Sequence, residues 1–262
     1  VKPYFDDGTV TIYHGRIEDV LPVLGRVADI AVTSPPYNMG LTPGGNGAGL
    51  YSHTTQHASR FTNDGYDGAS DAMDPDEYEA ATREWLRLSI EATTGAVWWN
   101  HRPRIWHHRA KFPFDMRFEF LDDLDVDLRQ VVIWDRRLGT GTNHSHLTIR
   151  QEWVMLFARP GFRVDRAKAG MGDVWSFPPP PEKFGHPCPY PEELPARCIA
   201  LSRPAVVLDP FAGVGTTLVA AKRAGVRAIG IEQSEAFCAT AAERCGGDIR
   251  PADGGFAFGA AS

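Results

Sequence analysis

Apolar and polar positions along this chain repeat with two different periods, and the switches between them mark its elements. Thr9 to Tyr13 alternates β-branched and aromatic residues, and Asp29 to Thr33 is an apolar run stopped by Pro35 and Pro36. Both patterns predict buried strands. Asp74 and Pro75 open a helical stretch to about Thr93, in which Tyr78, Ala81, Trp85, Leu88 and Ala92 recur every three or four positions on one face. Strands are predicted over Ala96 to Trp99, Val131 to Trp134 and Trp153 to Ala158, and a helix from about Glu192 to Ser202. The pattern then sharpens. Ala205 to Asp209 reads as a strand, Phe211 to Gly215 as a glycine turn, Thr216 to Ala224 as a helix, Arg227 to Glu232 as a strand and Glu235 to Cys245 as a helix. Such a βαβα succession predicts an α/β fold with parallel strands.

Two stretches break the periodicity. Residues 40 to 75 are rich in Gly, Ser, Thr, Asn and Asp, and predict a long mobile loop of the kind a compact domain keeps for function. Arg159 to Pro191 is Gly- and Pro-rich, and the glycine-rich tail after Gly246 is expected to fray. With 262 residues, 43% of them hydrophobic, the whole chain is expected to form one domain around one sizeable core.

Charge and cysteine narrow the function classes. Lys plus Arg is 27 against 33 Asp plus Glu, a net charge of -6, which excludes a uniformly basic nucleic-acid coat. Any polyanion must be gripped locally. Acid gathers over residues 115 to 127, and Arg over 102 to 111, 136 to 150 and 159 to 168, which predicts a one-sided basic cleft with a salt-sensitive grip. Cysteines at 188, 198, 238 and 245 form no Cys-x-x-Cys pair and no secretory signal opens the chain, so free thiols and a cytoplasmic setting are expected. No apolar run approaches the roughly 18 residues of a membrane span, and no membrane role is expected.

Asp209, Pro210, Phe211, Ala212, Gly213, Val214, Gly215, Thr216 and Thr217 occupy a strand-to-helix junction, where glycines let the backbone approach a ligand closely. No Lys follows in phosphate-loop spacing, and the third glycine of a dinucleotide fingerprint is missing. Glu232 closes the next strand about twenty residues on, where a carboxylate can accept from both hydroxyls of a ribose. A nucleoside lacking a pyrophosphate fits these parts, and a tight structural turn is the alternative.

Ser34, Pro35, Pro36, Tyr37 and Asn38 follow directly on an apolar strand. Consecutive prolines carry no N–H, so the turn offers carbonyls and the Ser34 hydroxyl without competing main-chain donors. Such a turn suits an NH2 group. The exocyclic amine of a nucleobase is a poor nucleophile, and acceptors aimed at its hydrogens would free its lone pair and stabilise the developing charge. The Tyr37 ring could stack on the base. A rigid proline turn, or a Pro-Pro-x-Tyr ligand for a recognition domain, is the competing interpretation.

The two motifs together resemble those of S-adenosylmethionine-dependent DNA amino-methyltransferases. These carry Ser/Asp/Asn-Pro-Pro-Tyr and Asp-Pro-Phe-x-Gly-x-Gly-Thr-Thr, and in their β group the catalytic motif comes first, as Ser34 precedes Asp209 here. His186 to Pro191 is similar to that family's proline-rich segment, and the resemblance runs from about residue 9 to 246. It implies a Rossmann-like, seven-stranded, mostly parallel sheet in circularly permuted order, with Thr9 to Tyr13 beside the strand ending at Glu232. It implies S-adenosylmethionine held by Asp209, Phe211, Gly213, Gly215, Thr216, Thr217, Glu232, His186 and Pro187. Ser34 and the turn of Pro35 and Pro36 would then receive the target amine, Tyr37 would stack on a flipped base in double-stranded DNA, and the methyl would pass directly. Gly15 is followed by Arg16 where the family often has an acidic or amide residue near the cofactor's adenine, so Glu18 or Asp19 would have to substitute. Ser at the head of the motif is commoner in cytosine-N4 enzymes and Asp in adenine-N6 enzymes, which favours cytosine N4. A cognate restriction endonuclease and a monomer or homodimer are further expectations of the resemblance.

Basic and aromatic residues interleave around Arg102, Arg104 and Trp106, and a polar glycine-spaced stretch holds Arg136, Arg137, His144 and Arg150. With Arg159, Arg163, Arg166 and Lys168, these are the candidate DNA contacts, in insertions near 136–150 and 159–185. His107, His108, His144 and His146 lack matching carboxylate or cysteine spacing, so no metal is expected. Cys188 after Pro187 has the look of the nucleophile of cytosine-C5 enzymes but stands in the wrong order relative to the glycine turn, which favours a packed thiol.

Overall fold

The structure, a computed structural model, describes residues 1–38, 73–106, 109–111, 118–140, 147–182, 184–186 and 189–246. In chain order these form β1 (Phe5–Asp6), β2 (Val10–His14), α1 (Ile17–Leu24), β3 (Ala28–Thr33), α2 (Pro75–Glu91), β4 (Thr93–His101), β5 (Arg104–Trp106) and β6 (Arg109–Lys111). A 3-10 turn over Glu119–Leu124 leads to β7 (Asp127–Thr140), β8 (Ile149–Ala158) and β9 (Val174–Ser176). Then come α3 (Glu193–Ser202), β10 (Val206–Asp209), α4 (Thr216–Arg223), β11 (Arg227–Glu232) and α5 (Glu235–Gly246). Of the predicted loop over 40 to 75, residues 40 to 72 lie outside the described set, as does the tail after Gly246. Asp74 caps α2 by accepting from the Asp76 amide at 2.9 Å, with Pro75 in the first turn where its missing N–H costs nothing.

The main sheet runs β1-β2-β11-β10-β3-β4-β8-β7-β9. The seven strands expected from the resemblance are therefore nine. Five neighbouring pairs are parallel and three antiparallel, so the sheet is mixed. Two short edge strands make the difference: β1 folds back on β2, and β9 joins β7, each of them too brief to carry a period-2 signal. β2 lies parallel to β11, with Ile12 opposite Gly230 and His14 opposite Glu232. β5 and β6 pair separately as a small ribbon.

Each face of the sheet is covered, which is why its central strands read as nearly continuous apolar runs. Ile30, Val32, Trp98, Val154 and Leu156 pack on one side with residues of α3, α4 and α5 such as Cys198, Leu218 and Cys238. Ala31, Trp99, Met155 and Phe157 pack on the other with Leu21 of α1 and Tyr78, Trp85 and Leu86 of α2. Cys198, Cys238 and Cys245 are buried free thiols, and burial pushes the last two up to about 12, so they sit in the core as small apolar groups. Among the described residues no helix is long and apolar enough to cross a membrane.

Candidate active site at the strand ends

β3, β10 and β11 end together on a cavity of about 300 Å3. Their neighbours run off in opposite directions from β10, which leaves a crevice at the carboxyl ends of the strands, the usual ligand position in open α/β sheets. Both sequence motifs border this one space: Ser34 to Tyr37 on the β3 side, and Phe211, Gly213, Thr216 and Glu232 on the other.

Glu232 is held by main-chain donors. Its Oε2 accepts from the Gly213 amide and its Oε1 from the Ser234 amide, each at 2.8 Å. One lone pair on each oxygen stays available to a ligand. Burial raises its pKa above that of an ordinary glutamate, and the nearby Asp209 charge adds to this, while the Ser234, Gly213 and Gln233 amides oppose it. Gly213 takes φ +50° and lies under His186, whose Nε2 would be 3.3 Å from a Cβ placed there. Burial lowers the His186 pKa to about 4, so the ring is neutral. Gly215, at φ +80°, is a glycine for packing: a Cβ would sit 2.9 Å from that of Ala241 in α5.

Asp209, Gly215 and Thr217 stand behind the cavity wall. Asp209 is fully buried, and its Oδ1 accepts from Thr33 Oγ1 at 2.7 Å and the Phe211 amide at 3.1 Å. Its Oδ2 accepts from the Tyr190 hydroxyl at 2.9 Å, and Tyr190 also bonds Thr217. Burial raises the Asp209 pKa despite these bonds, so its charge is costly and three donors depend on it. Asp209→Ala should therefore lose roughly 3 kcal/mol of unfolding free energy in a urea titration. Asp209→Asn, which keeps the shape and one acceptor, should lose less; a loss under about 1 kcal/mol for the alanine variant would mean the donors find other partners.

The opposite wall holds a polar network. Ser34 Oγ lies 2.6 Å from the Tyr37 hydroxyl, which donates to Glu152 Oε2 at 3.1 Å. Asn100 Nδ2 reaches Tyr37 at 2.6 Å, Glu152 at 3.0 Å and Ser34 at 3.4 Å, while Glu152 Oε1 pairs with Arg136 at 3.1 Å. Strand register assembles these groups. Asn100 on β4 faces Val154 on β8, making Glu152 its diagonal neighbour, and Glu152 faces Trp134, two positions before Arg136 on β7. Behind the turn, the Tyr78 hydroxyl donates to the Pro36 carbonyl at 2.7 Å and lies 2.8 Å from His101 Nε2. One lone pair of the Pro36 carbonyl is thus engaged, and Ser34, Pro35 and Pro36 all border the cavity. The Tyr37 ring rests 4.9 Å from that of His101, which burial and then the Arg104 charge keep neutral.

At the far end of the cavity, Glu18 accepts from Trp85 Nε1 at 2.9 Å and pairs with Arg16 at 3.0 Å. Burial acts to raise the Glu18 pKa, but the bonds from Arg16 and Trp85 outweigh it and the net shift is downward. Of the two substitutes considered for the missing acid after Gly15, Glu18 borders the cavity. Sequence reading gave no individual site role to Asn100, Glu152, Tyr78, Trp85 or Tyr190: Tyr78 and Trp85 read as one apolar helix face, Tyr190 only as part of the proline-rich segment, and nothing local marks Asn100 or Glu152.

The candidate DNA contacts scatter. Arg102 and Arg104 are 9% and 5% exposed, with Arg104 stacked 4.3 Å over the Tyr78 ring, so the expected pair of surface cations is in fact buried. Arg136 is tied to Glu152. Arg137 and Arg150 are exposed at the cavity end of the sheet, bonded to the Ser176 carbonyl and to Asp135. Because β8 is antiparallel to β4, its end at Ala158 lies at the opposite edge, and Arg159, Arg163, Arg166 and Lys168 follow there. Arg159 is spent on the carbonyls of Leu124 and Ile90. Those four are therefore remote from Ser34, contrary to the expectation for the start of the 159–185 insertion. Pro187, Cys188, His107, His108, His144 and His146 lie outside the described residues.

Residues 28–243 match a protein family described as DNA methylase. Among characterised proteins, the chain is 25% identical over 274 residues to the Type II methyltransferase M.ScaI of Streptomyces caespitosus, covering 90% of this chain and 81% of that one. It is 24% identical to the Type II methyltransferase M.BglII of Bacillus subtilis, covering 80% of this chain and 62% of that relative. Among solved structures, the PvuII DNA methyltransferase (cytosine-N4-specific) superposes with a TM-score of 0.67 at 15% identity, over 93% of this chain and 88% of that one. A DNA modification methylase of Thermus thermophilus, TTHA0409, complexed with S-adenosyl-L-methionine, gives 0.61 at 21% identity over 91% and 95%. At these identities the likeness shows a shared fold.

Proposed function

Because the chain belongs to the DNA methylase family, matched over residues 28–243, we propose that it transfers a methyl group from S-adenosylmethionine to the exocyclic N4 of cytosine in duplex DNA. One observation carries this reading: an acceptor turn suited to an amine and a carboxylate suited to a ribose border the same cavity.

The residues fit the cofactor. Glu232 offers one lone pair per oxygen to a ribose, Phe211 and Trp85 supply aromatic surface, and Glu18 offers acceptors at the adenine end. Bound there, S-adenosylmethionine supplies a methyl group on a positively charged sulfur. The chain's own contribution is placement and electrostatics. Ser34 Oγ and the Pro35 carbonyl accept from the target amine and free its lone pair. Tyr37, backed by His101, gives the extruded base a stacking surface worth about 1–3 kcal/mol, which offsets part of the unstacking cost. Arg137 and Arg150 stand at the cavity end of the sheet as phosphate contacts.

The choice of cytosine is supported by Ser34 at the head of the motif and by the cytosine-N4-specific enzyme among the fold relatives. Because the sequence relatives are Type II methyltransferases, a cognate endonuclease is the proposed partner, with the enzyme itself acting as a monomer or homodimer. Duplex DNA incubated with labelled S-adenosylmethionine and digested to nucleosides should yield N4-methylcytosine. N6-methyladenine alone would overturn the base assignment, and no labelled DNA across diverse sequences would overturn the DNA reading. Sequencing methylated DNA from an expressing host then gives the recognition sequence.

A further inference from the structure

Ser34 is chemically ambivalent, since a hydroxyl donates or accepts with equal ease. Its surroundings remove the ambiguity. Glu152 is buried at 6% exposure and, as a carboxylate, can only accept. Its Oε1 takes Arg136 and its Oε2 takes the protons of Tyr37 and Asn100. Tyr37 has one hydroxyl proton and gives it to Glu152, so at 2.6 Å from Ser34 it can only receive. Ser34 therefore spends its proton inward and, beside the long contact it accepts from Asn100 at 3.4 Å, keeps a lone pair for the cavity.

We propose that Glu152 is a positioning residue that sets the hydrogen-bond polarity of the catalytic turn, so that Ser34 selects an amino group and then takes its proton. The proposal rests on the reading of this site as a base-amine methyltransferase. When the base nitrogen has used its lone pair to bond the methyl carbon, with the electrons of the broken carbon–sulfur bond left on sulfur, it carries a positive charge and one proton in excess. That proton passes to Ser34 Oγ as Ser34's own passes to Tyr37 and Tyr37's to Glu152. The methylated base and the sulfide are then neutral, and the protonated carboxyl returns its proton to water before the next cycle.

Reversing the polarity is the direct test. In Glu152→Gln, Arg136 retains the amide oxygen and the NH2 turns toward Tyr37. Asn100 Oδ1, buried and with no partner among the described residues, can rotate to receive its second hydrogen. Tyr37 then donates to Ser34, and Ser34 donates into the cavity. The probes are duplexes carrying the recognition sequence with cytosine or uracil at the target position, bound in the presence of S-adenosylhomocysteine and read by fluorescence anisotropy. Uracil presents a carbonyl where cytosine presents the amine. The cytosine-to-uracil affinity ratio, compared between variants so that flipping costs cancel, should shift toward uracil by about tenfold or more in Glu152→Gln and stay near wild type in Glu152→Asp. Single-turnover methylation should fall by about 10²–10⁴-fold in Glu152→Gln and in Tyr37→Phe, with no further fall in the double variant. An unchanged ratio, or losses that multiply in the double variant, would overturn the proposal. If Glu152→Gln fails to fold, Tyr37→Phe carries the test, because it frees the Ser34 proton without touching the ion pair and should erase the cytosine preference. A wild-type protein that methylates no DNA would sink the parent reading instead.

Discussion

Ser34→Ala should lower the single-turnover methylation rate by about 10²–10³-fold, the range seen when one oriented polar group is removed from a transition state. Affinity for S-adenosylmethionine should stay within about twofold, because in the proposed reading Ser34 meets the base amine and not the cofactor. Both halves follow from position. Ser34 borders the cavity on the β3 side, while the main-chain donors that hold Glu232 belong to the loops after β10 and β11. Rapid-quench kinetics with saturating cofactor would measure the first quantity and calorimetry the second. A variant that lost cofactor affinity and kept its saturated rate would place Ser34 in the cofactor pocket and remove it from the chemistry.

Glu232→Ala should act in the opposite sense, weakening cofactor binding by about 3 kcal/mol, or roughly 100-fold in Kd, through two lost hydrogen bonds to a charged acceptor. It also strips the Gly213 and Ser234 amides of their partner, so Glu232→Gln is the milder control. The wild-type enzyme should show a matching pH dependence. Binding draws on the ionised carboxylate, and the Glu232 pKa is raised, chiefly by burial. As pH falls, affinity should begin to drop above the range where an ordinary glutamate titrates, and the drop should be absent in Glu232→Gln. Calorimetric titrations between about pH 8 and pH 5 span the window for a raised carboxylate. Affinity that improved on acidification would show that Glu232 binds in its neutral form.

The parts of this site that lie on strand ends were legible because strand, turn and charged residue are adjacent in sequence. Asp29 to Thr33 followed by Ser-Pro-Pro-Tyr, and Ala205 to Asp209 followed by the glycine turn, announce themselves locally. The parts that depend on register were not. Asn100, Arg136 and Glu152 lie on three different strands and meet only because β4, β8 and β7 pair antiparallel with particular partners opposite. A single-residue slip would send Glu152 to the other face. The same blindness misplaced the arginines: Arg159 to Lys168 follow a strand as Arg102 and Arg104 do, yet β8 runs the other way and delivers them to the far edge. Burial misled as well, since Arg104 earns its place by stacking on Tyr78, a role that spacing cannot express.

The bond between Thr33 Oγ1 and Asp209 Oδ1, 2.7 Å long and fully buried, acts as a gauge block between the two halves of the site. It joins the last residue of the strand that presents the acceptor turn to the last residue of the strand that opens the glycine turn. In the proposed reading, the span between base and methyl donor is set from beneath the cavity floor, by two residues that do not line it. If the proposed function holds, residues that contact DNA can vary while the working distance of the chemistry stays the same. A directed search for new sequence preferences can therefore leave the buried Thr33–Asp209 bond untouched.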